Sequence, residues 1–427
     1  MDIFIPKDVK LIIDKIYENG YEAFIVGGCV RDSILNIKPN DYDITTNAKP
    51  QDIINIFKEY KMIDIGIKHG TIAIILNKNI YEITTYRIES EYENNRKPKN
   101  VEFTSNIEED LKRRDFTINA MAYNDKIGLV DKFDGLNDIK RKIIKTVGNP
   151  NERFEEDALR MIRAIRFSSK LSFNIDQTSL NSIYKNAYLI SNISIERVND
   201  EFTKILTSNN PKQIILLFKT GIFENLRIYY NLNGHEYNRL EKRLNLLEDC
   251  ENNILDRLII LEYIIINEIL SNINYEERYK YYNEKIKTIN IVNNLKYSNK
   301  IINYCNDILD YMLKVNERVD SITIKHYLNH IGYEKLYKVF YLKLKYSIFF
   351  QDKPEIYKLK QCISNLEKIK NNKECYTIKD LDIDGKIVAK LGYTGKEIGE
   401  KLNFLLHEVI KNPSLNKKEI LINLLKL

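Results

Sequence analysis

The sequence lacks paired cysteines and any long uncharged apolar run. Its five cysteines are scattered over 427 residues and include no CxxC pair. This spacing gives no disulfide framework and is typical of reduced thiols in a cytoplasmic protein. The most apolar stretch, Leu258 to Leu270, is interrupted by Glu262 and Glu268, so it predicts a buried helix and not a membrane span. Because the residues after Met1 show no signal-peptide pattern, we expect a cytoplasmic protein without a membrane partner.

A long basic block is also missing. The formal net charge is +6, but lysine and arginine are interspersed with acidic residues, so the charge permits an RNA partner without demanding one. The chain is too long for one ordinary core, and two to four structural units are expected. Strand-like patterns nearly vanish beyond about residue 145, where helical apolar spacing takes over. We predict an α+β fold, with an N-terminal α/β head followed by a helical arm.

The stretch from Phe24 to Thr45 carries the first candidate site. An apolar strand-like segment leads to a turn at Gly27-Gly28, a short amphipathic helix follows, and a second strand bears Asp41 and Asp43. Side chains at i and i+2 of a strand share a face, so the two carboxylates should lie side by side. Their repulsion would be severe unless cations lay between them. Mg²⁺ prefers such oxygen ligands, and the sequence therefore predicts catalytic, metal-binding aspartates here.

The glycine turn complements these carboxylates. Backbone N–H groups at Gly27 and Gly28 can approach an anion at the start of a helix, as phosphate-binding loops do. Arg31 adds a fixed positive charge beside the turn. An aspartate pair alone is usually only solvated, but strand, glycine turn, arginine and aspartate pair within about twenty residues form a specific pattern. We interpret the stretch as a site for a metal-bound triphosphate, with Gly28 and Arg31 binding the nucleotide.

A second motif, KRRDFTINAMA, spans Lys112 to Ala122. In isolation a basic surface helix explains it equally well. After the carboxylate strand, it is interpreted as a second wall of the nucleotide site. Arg114 could offer a forked donor to the triphosphate, while Asp115 and Asn119 could hydrogen-bond a ribose.

The run EDALRMIRAIRF begins at Glu156. On a continuous helix Asp157 and Arg160 are neighbours, and an ordinary ion pair worth a few tenths of a kcal/mol is the plain interpretation. The same geometry could read a base. Cytosine and adenine both present an amino donor beside a ring-nitrogen acceptor, which a carboxylate next to a guanidinium complements, whereas uracil and guanine present the reverse pattern. Arg163 and Arg166 continue the i+3 series, and we predict that they contact phosphate or orient Asp157.

These motifs (GGCVRD followed by DYD, then RRDFTINAMA, then EDALRMIRAIRF) together resemble the signatures of the class II tRNA nucleotidyltransferase and bacterial poly(A) polymerase family. The resemblance is dense from residue 20 to about 206 and recurs weakly from about 376 to 420. It implies a polymerase-β-like nucleotidyltransferase head and an all-helical remainder. The implied domains are the catalytic head at 1–145, a nucleotide-selecting neck at 146–206, a helical body at 207–370 and a helical tRNA-binding tail at 371–427.

The resemblance also implies the reaction. Members of the family add nucleotides to RNA 3′ ends, and the expected activity is template-independent addition of C, C and A to tRNA from CTP and ATP. Two Mg²⁺ ions on Asp41 and Asp43 are the implied cofactors. The segment from Ile193 to Phe202 resembles the family's next motif, where Glu196 and Arg197 would brace the nucleotide-binding helix. Related enzymes are often dimers, so a homodimer is among the implied partners.

Several alternatives stay open on the sequence alone. A poly(A) polymerase, or a partial enzyme that adds only A or only CC, would carry the same motifs. The polar segment from Arg87 to Asn100 predicts a mobile surface loop, and because CC-adding relatives lack this loop it argues against CC-only addition. A non-catalytic RNA-binding module is disfavoured because both metal carboxylates and the selecting pair are present. The sequence does not decide whether Glu82 is a third metal ligand.

Overall fold

The structure, a computed structural model, describes residues 3–93, 95, 97–228, 234–286, 290–315 and 320–426. It divides into two compact units, Met1–Tyr237 with Asn294–Lys296 and Asn238–Asn293 with Tyr297–Leu427. In these described ranges, no helix is both long and apolar enough to cross a membrane. The predicted four-part division into head, neck, body and tail stays a prediction.

The strands all lie in the first unit's part of the described chain. They are β1 (Ala23–Val26), β2 (Asp43–Thr46), β3 (Lys61–Gly66), β4 (Thr71–Leu76), β5 (Asn79–Thr85), β6 (Arg87–Glu93), β7 (Lys97–Phe103), β8 (Met121–Asn124), β9 (Gly128–Asp131), β10 (Ile143–Ile144) and β11 (Asn174–Ile175).

Seven of these strands form one mixed sheet in the order β3-β4-β5-β2-β1-β8-β9. Strands β2 and β5 run parallel, and their register pairs Ile44 with Ile83. Strand β1 lies inside the sheet between β2 and β8, and all four of its residues are buried. Because the two strands are parallel, the residues that precede this pair are also opposite each other, which places Glu82 of β5 beside Asp43 of β2.

The segment from Arg87 to Asn100 is not the predicted loop. Strands β6 and β7 pair antiparallel, with Arg87 opposite Phe103 and Glu93 opposite Lys97. Glu89 on β6 accepts hydrogen bonds from Arg87 of the same strand (2.8 Å) and from Arg113 (3.2 Å), and the second contact links the hairpin to the residue after α4. The polar composition that indicated a loop therefore belongs to a two-stranded hairpin.

The helices that precede residue 230 are α1 (Lys7–Glu18), α2 (Gly28–Ile34), α3 (Pro50–Ile56), α4 (Ile107–Lys112), α5 (Gly135–Arg141), α6 (Pro150–Glu156), α7 (Leu159–Leu171), α8 (Gln177–Asn186), α9 (Ile195–Leu206), α10 (Ile215–Lys219) and α11 (Ile222–Asn225). The run EDALRMIRAIRF, considered above as one continuous helix, is divided into two helices. It is interrupted at Asp157, which has an extended backbone (φ −139°, ψ 102°) and separates α6 from α7.

The helices from residue 234 onwards are α12 (Gly234–Arg243), α13 (Leu246–Asp249), α14 (Ile254–Ile269), α15 (Tyr275–Tyr281), α16 (Ile291–Asn294), α17 (Asn299–Lys314), α18 (Ser321–Phe349), α19 (Lys353–Asn371), α20 (Gly385–Lys390), α21 (Lys396–Lys411) and α22 (Lys418–Lys426). Helix α14 is buried on nearly every side, as its apolar sequence predicts. Helix α18 is broken at Gly332, whose φ of 75° is not helical. The predicted helical arm is confirmed in the described ranges, apart from the two-residue strand β11.

Candidate active site

The turn at Gly27-Gly28 lies between β1 and α2. Gly27 has φ 78° and ψ −125°, a conformation that favours glycine, and its N–H donates to the Met121 carbonyl of β8 (3.1 Å). A Cβ added at Gly27 would lie 3.1 Å from Nη1 of Arg114, and one added at Gly28 would lie 3.6 Å from Nη2 of Arg31. Two guanidinium groups therefore lie directly against the turn, and the absence of side chains there lets them approach.

The two predicted metal ligands lie at the start of β2. Asp43 is the first residue of the strand and Asp41 precedes it, so only one of the pair is within the strand; both are exposed. The pKa of Asp43 is raised by partial desolvation and then by the charge of Asp41, with Glu82 adding to the effect and Arg114 opposing it. In the described part of the chain neither aspartate forms an ion pair with a basic side chain. Concentrated, unneutralised carboxylate charge of this kind fits a divalent cation.

In the described structure, no third protein ligand joins Asp41 and Asp43 in a group that could hold a metal ion. Among the described residues, no group of three or more histidine, cysteine, aspartate or glutamate side chains is arranged to hold a metal ion. Glu82 is close enough to affect the pKa of Asp43, but it does not complete such a group.

Arg31 is held by the protein itself. Its Nε donates to Oδ1 of Asp32 (2.7 Å) and its Nη1 to Oδ1 of Asn119 (2.5 Å). The guanidinium lies 5.1 Å from the centre of the Phe167 ring, and the residue is only 3% exposed. The structure therefore brings Arg31 to the glycine turn, as the sequence predicts, but each of its three guanidinium nitrogens already lies against an oxygen of Asp32 or Asn119.

Arg114 is held differently, through an aspartate that the sequence analysis missed. Nη2 of Arg114 donates to Oδ2 of Asp110 (3.2 Å), while its buried Nε has no hydrogen-bond partner in the described residues. Asp110 is fully buried and also accepts from Nε (3.0 Å) and Nη2 (2.8 Å) of Arg113. Burial alone would raise the pKa of Asp110, but the two guanidinium groups hold it below its ordinary value. Nothing in the run EED, which precedes the arginines, distinguishes this residue from Glu108 and Glu109, which are not buried.

Asp115 and Asn119, the predicted ribose contacts, bond to protein groups. Oδ1 of Asp115 accepts from the side-chain amide of Asn119 (3.0 Å), and Oδ2 accepts from Nε (2.9 Å) and Nη2 (2.6 Å) of Arg163. Burial favours the neutral acid, yet Arg163 and the Asn119 amide lower the pKa of Asp115 to about 2. The carboxylate is therefore ionised at neutral pH and links the second motif to helix α7.

The predicted base-selecting pair is not an ion pair in this structure. Oδ2 of Asp157 accepts from Nη2 of Arg197 (3.2 Å), and Oδ1 accepts the Leu159 N–H (3.1 Å) at the start of α7. Arg160 instead donates to Oε2 of Glu156 (2.7 Å). It also donates to the main-chain carbonyls of Arg113 (3.1 Å) and Arg153 (3.3 Å). Arg197, which the resemblance implies braces the nucleotide-binding helix, therefore contacts Asp157, between α6 and α7.

Arg163 and Arg166, predicted to contact phosphate or to orient Asp157, pair with other carboxylates. Arg163 binds Asp115, as described above, and its Nη1 lies 3.9 Å from Oε1 of Glu201 on helix α9. Nε of Arg166 lies 2.6 Å from Oε2 of the same glutamate, which is 4% exposed. Glu201 is a second residue that the sequence analysis missed, because its two partners lie more than thirty positions earlier in the chain.

Comparison with known proteins places this geometry in a family. Residues 23–145 match the family described as poly A polymerase head domain, and residues 172–227 match the family described as probable RNA and SrmB-binding site of polymerase A. The chain is 36% identical to a CCA-adding enzyme of Ligilactobacillus salivarius (strain UCC118), over 98% of this chain and 96% of that enzyme. The chain belongs to the CCA-adding enzyme family. The family predicted from the sequence motifs is thereby confirmed.

Two further relatives agree with this assignment. A CCA-adding enzyme of Limosilactobacillus reuteri (strain DSM 20016) is 50% identical over 52% of this chain and 54% of its own length. The crystal structure of the Bacillus stearothermophilus CCA-adding enzyme in complex with CTP superposes with a TM-score of 0.70 at 29% identity, covering 99% of this chain and 98% of that one. The α+β fold, a nucleotidyltransferase head with a helical remainder, is confirmed.

Proposed function

We propose that this chain is a tRNA nucleotidyltransferase that adds C, C and A to the 3′ end of tRNA, using CTP and ATP without a nucleic-acid template and releasing pyrophosphate. The proposal rests on one observation. The Asp41 and Asp43 carboxylates lie near Arg114, which itself lies against the Gly27-Gly28 turn. This site lies in a chain that is similar over nearly its whole length to a CCA-adding enzyme.

We assign triphosphate binding to the Gly27-Gly28 turn and to Arg114, the cation beside it. The N–H groups at the start of α2 point out of the first helical turn and can donate to phosphate oxygens. Arg114 lies against Gly27 with one buried N–H unused. A guanidinium can donate two parallel hydrogen bonds to a phosphate. We therefore assign phosphate contact to Gly28 and Arg114, with Arg31 stabilising the turn and contributing charge.

Membership of this family implies use of a divalent metal, and we propose Mg²⁺ held by Asp41 and Asp43. When bound there, Mg²⁺ would favour ionisation of the RNA 3′-hydroxyl and neutralise the charge of the departing pyrophosphate. The pKa of Asp43 is raised first by desolvation and then by repulsion from Asp41, and a nearby cation would offset both effects, which supports the assignment. Asp43 would then be fully ionised in the loaded enzyme.

Base selection is proposed for Asp157 and Arg160. Asp157 has one oxygen held by Arg197 and the other by a backbone N–H, so its lone pairs are oriented before a base arrives. Arg160 is engaged with Glu156 and two carbonyls, and a base must replace at least one of these contacts. Arg163 and Arg166 would act on nucleotide only indirectly, through Asp115 and Glu201. Exchange of Asp157 and Arg160 tests the assignment, since it should weaken discrimination against UTP and GTP.

The decisive experiment is extension of a labelled tRNA that lacks its last three nucleotides, with Mg²⁺ and each NTP alone and in pairs. Addition of three residues with CTP plus ATP, followed by a halt, would support CCA addition. Long A-tails with ATP alone would identify a poly(A) polymerase, and a stop after two cytidines or a requirement for a CC end would identify a partial enzyme. Failure to extend any RNA would refute the proposal.

A variant separates catalysis from folding in the same assay. Asp41→Ala should abolish transfer without loss of stability, because Asp41 is exposed and forms no ion pair in the described chain. Asp125→Ala is a matched control, since Asp125 is also an exposed aspartate of the head and its only ion pair among the described residues is with exposed Lys10 (2.5 Å). An Asp41→Ala enzyme that still extends tRNA would remove Asp41 from the catalytic role.

Three further assignments accompany this function. We propose that the protein works in the cytoplasm, where its tRNA, CTP and ATP partners occur. A homodimer remains a proposal derived from related enzymes, to be tested by light scattering of the purified chain. The division into head, neck, body and tail at 145, 206 and 370 also remains a proposal, which limited proteolysis would test.

A further inference from the structure

We propose that Asp110 is a positioning residue that fixes Arg114, the phosphate-binding cation, relative to strand β2, which carries Asp43. The inference rests on the proposed function, because Arg114 and Asp43 are assigned there to the triphosphate and the metal. Asp110 lies in helix α4 and does not itself reach the glycine turn.

The contacts of Asp110 are divided between its two oxygens. Oδ1 accepts both Nε (3.0 Å) and Nη2 (2.8 Å) of Arg113. Oδ2 accepts from Nη2 of Arg114 (3.2 Å) and lies 3.3 Å from the hydroxyl of Thr45. Because two donors of Arg113 hold Oδ1, the carboxylate cannot rotate without breaking both. The direction of Oδ2, and with it the position of Arg114, is thereby fixed.

Thr45 connects this carboxylate to the strand of the proposed metal site. It is two residues after Asp43 on β2, it is completely buried, and its hydroxyl also lies 3.2 Å from the Thr84 carbonyl of β5. One oxygen of Asp110 therefore faces both the strand that positions Asp43 and the guanidinium at the turn. A shift of either would change the distance between the proposed phosphate and metal sites.

Apart from Asp110, few described residues contact the Arg114 guanidinium through polar groups. In the described part of the chain its side chain forms an ion pair with Asp110 alone, and its Nε has no hydrogen-bond partner. Its other terminal nitrogen, Nη1, lies 3.1 Å from the position that a Cβ on Gly27 would take. Arg31, at the same turn, instead has both Asp32 and Asn119. In the described part of the chain, Asp110 is thus the ion-pair partner that orients Arg114 at the turn.

Asp110→Asn is the direct test. An amide has a single acceptor oxygen, and if that oxygen keeps Arg113 the NH₂ group faces Arg114 and Thr45 as a repelling donor. We expect the KM for both CTP and ATP to rise about 10- to 100-fold, the effect of losing one well-aligned charge-assisted hydrogen bond. The KM for tRNA should change little. Asp256→Asn is the matched control, because Asp256 is also a buried, ion-paired aspartate (Lys338, 2.9 Å) but belongs to the second unit.

A double-mutant cycle distinguishes positioning from a general loss of stability. Arg114→Lys keeps the charge but loses the fork, so in that background Asp110→Asn should lower kcat/KM for CTP by less than about threefold. Effects that multiply fully in the double variant would overturn the proposal, as would an unchanged KM in the single variant. If Asp110→Asn fails to fold, Arg113→Lys replaces it, since loss of the double contact frees the carboxylate to rotate. An unchanged KM for CTP in Arg113→Lys would equally overturn the proposal.

Failure of the proposed function has a different signature. If the wild-type chain does not extend tRNA, the function fails, and titration calorimetry of CTP with the wild-type chain and the Asp110→Asn variant still tests the positioning role. Weaker CTP binding by the variant would support that role without turnover, and equal binding would overturn it.

Discussion

Gly27→Ala should impair nucleotide binding more than it impairs folding. Gly27 has φ 78° and ψ −125°, which lies outside the left-handed region that other residues tolerate. Backbone strain of this kind costs about 1–3 kcal/mol of stability. The new Cβ would also lie 3.1 Å from Nη1 of Arg114, closer than ordinary van der Waals contact, so the guanidinium must move by a few tenths of an ångström.

That displacement sets the size of the kinetic effect. A hydrogen bond to a charged group contributes about 1.5–3 kcal/mol, and each 1.36 kcal/mol is a factor of about ten in rate or affinity. Complete loss of one contact between Arg114 and the triphosphate would therefore lower kcat/KM for CTP and ATP about 10- to 150-fold. Because the guanidinium is displaced and not removed, we expect a loss at the lower end of this range, about tenfold, mainly in KM.

Gly148→Ala is the control for backbone strain. Gly148 also has a positive φ (72°), but a Cβ there would meet no atom within 4 Å. Steady-state extension of tRNA at varied CTP, with thermal melts of both variants, separates the two effects. If Gly27→Ala loses no more kcat/KM than Gly148→Ala, then the close approach of Arg114 to the turn has no role in nucleotide binding.

Three further predictions follow from the buried charges and thiols. The pKa of Asp115, about 2, means that its ionised form adds roughly 2 kcal/mol of stability above about pH 4, which is lost as the pH falls towards 2. Urea unfolding should show a shallower acid dependence in Asp115→Asn, and an identical slope would contradict the pairing with Arg163. Arg197→Met should weaken discrimination of CTP from UTP because Asp157 loses its partner; single-NTP extension checks this, and unchanged selectivity would count against it. All five cysteines are buried and the pKa of Cys29 is raised to about 12, so the native protein should resist maleimide until unfolded, and rapid native labelling would show the burial to be wrong.

Local patterns in the sequence predicted the elements that local forces determine. The apolar spacing of α1 predicts its buried residues, Val9, Ile12, Ile13 and Ile16, and the uniformly apolar β1 predicts a strand buried on both faces. The break at Asp157 was missed because periodicity continues across it. The carboxylate caps the Leu159 N–H, and such side-chain capping competes with helix continuation without disturbing the apolar pattern.

The hairpin of β6 and β7 was missed for a different reason. Its composition, rich in charged residues and asparagine, is typical of a loop, and a two-stranded hairpin is marginal by itself. Contacts from elsewhere stabilise it: Glu89 binds Arg113, and the carbonyl of Asn95 accepts the Ala158 N–H (3.0 Å). Such contacts, between residues distant in the chain, leave no signal in the composition of the segment itself.

The arginines of the site differ in their contacts, which the sequence motifs do not reveal. The motifs identify Arg31, Arg114 and Arg163 equally as nucleotide-binding candidates, but the structure gives them unequal partners. Arg31 and Arg163 each donate to acidic or amide oxygens through two or more nitrogens, and a guanidinium so engaged must break existing bonds before it can bind phosphate. Arg114 shares one oxygen of Asp110 and retains a buried, unused donor beside the glycine turn. A triphosphate would therefore displace the fewest protein contacts at Arg114, and substitution there should affect nucleotide binding more, and folding less, than substitution of either of the others.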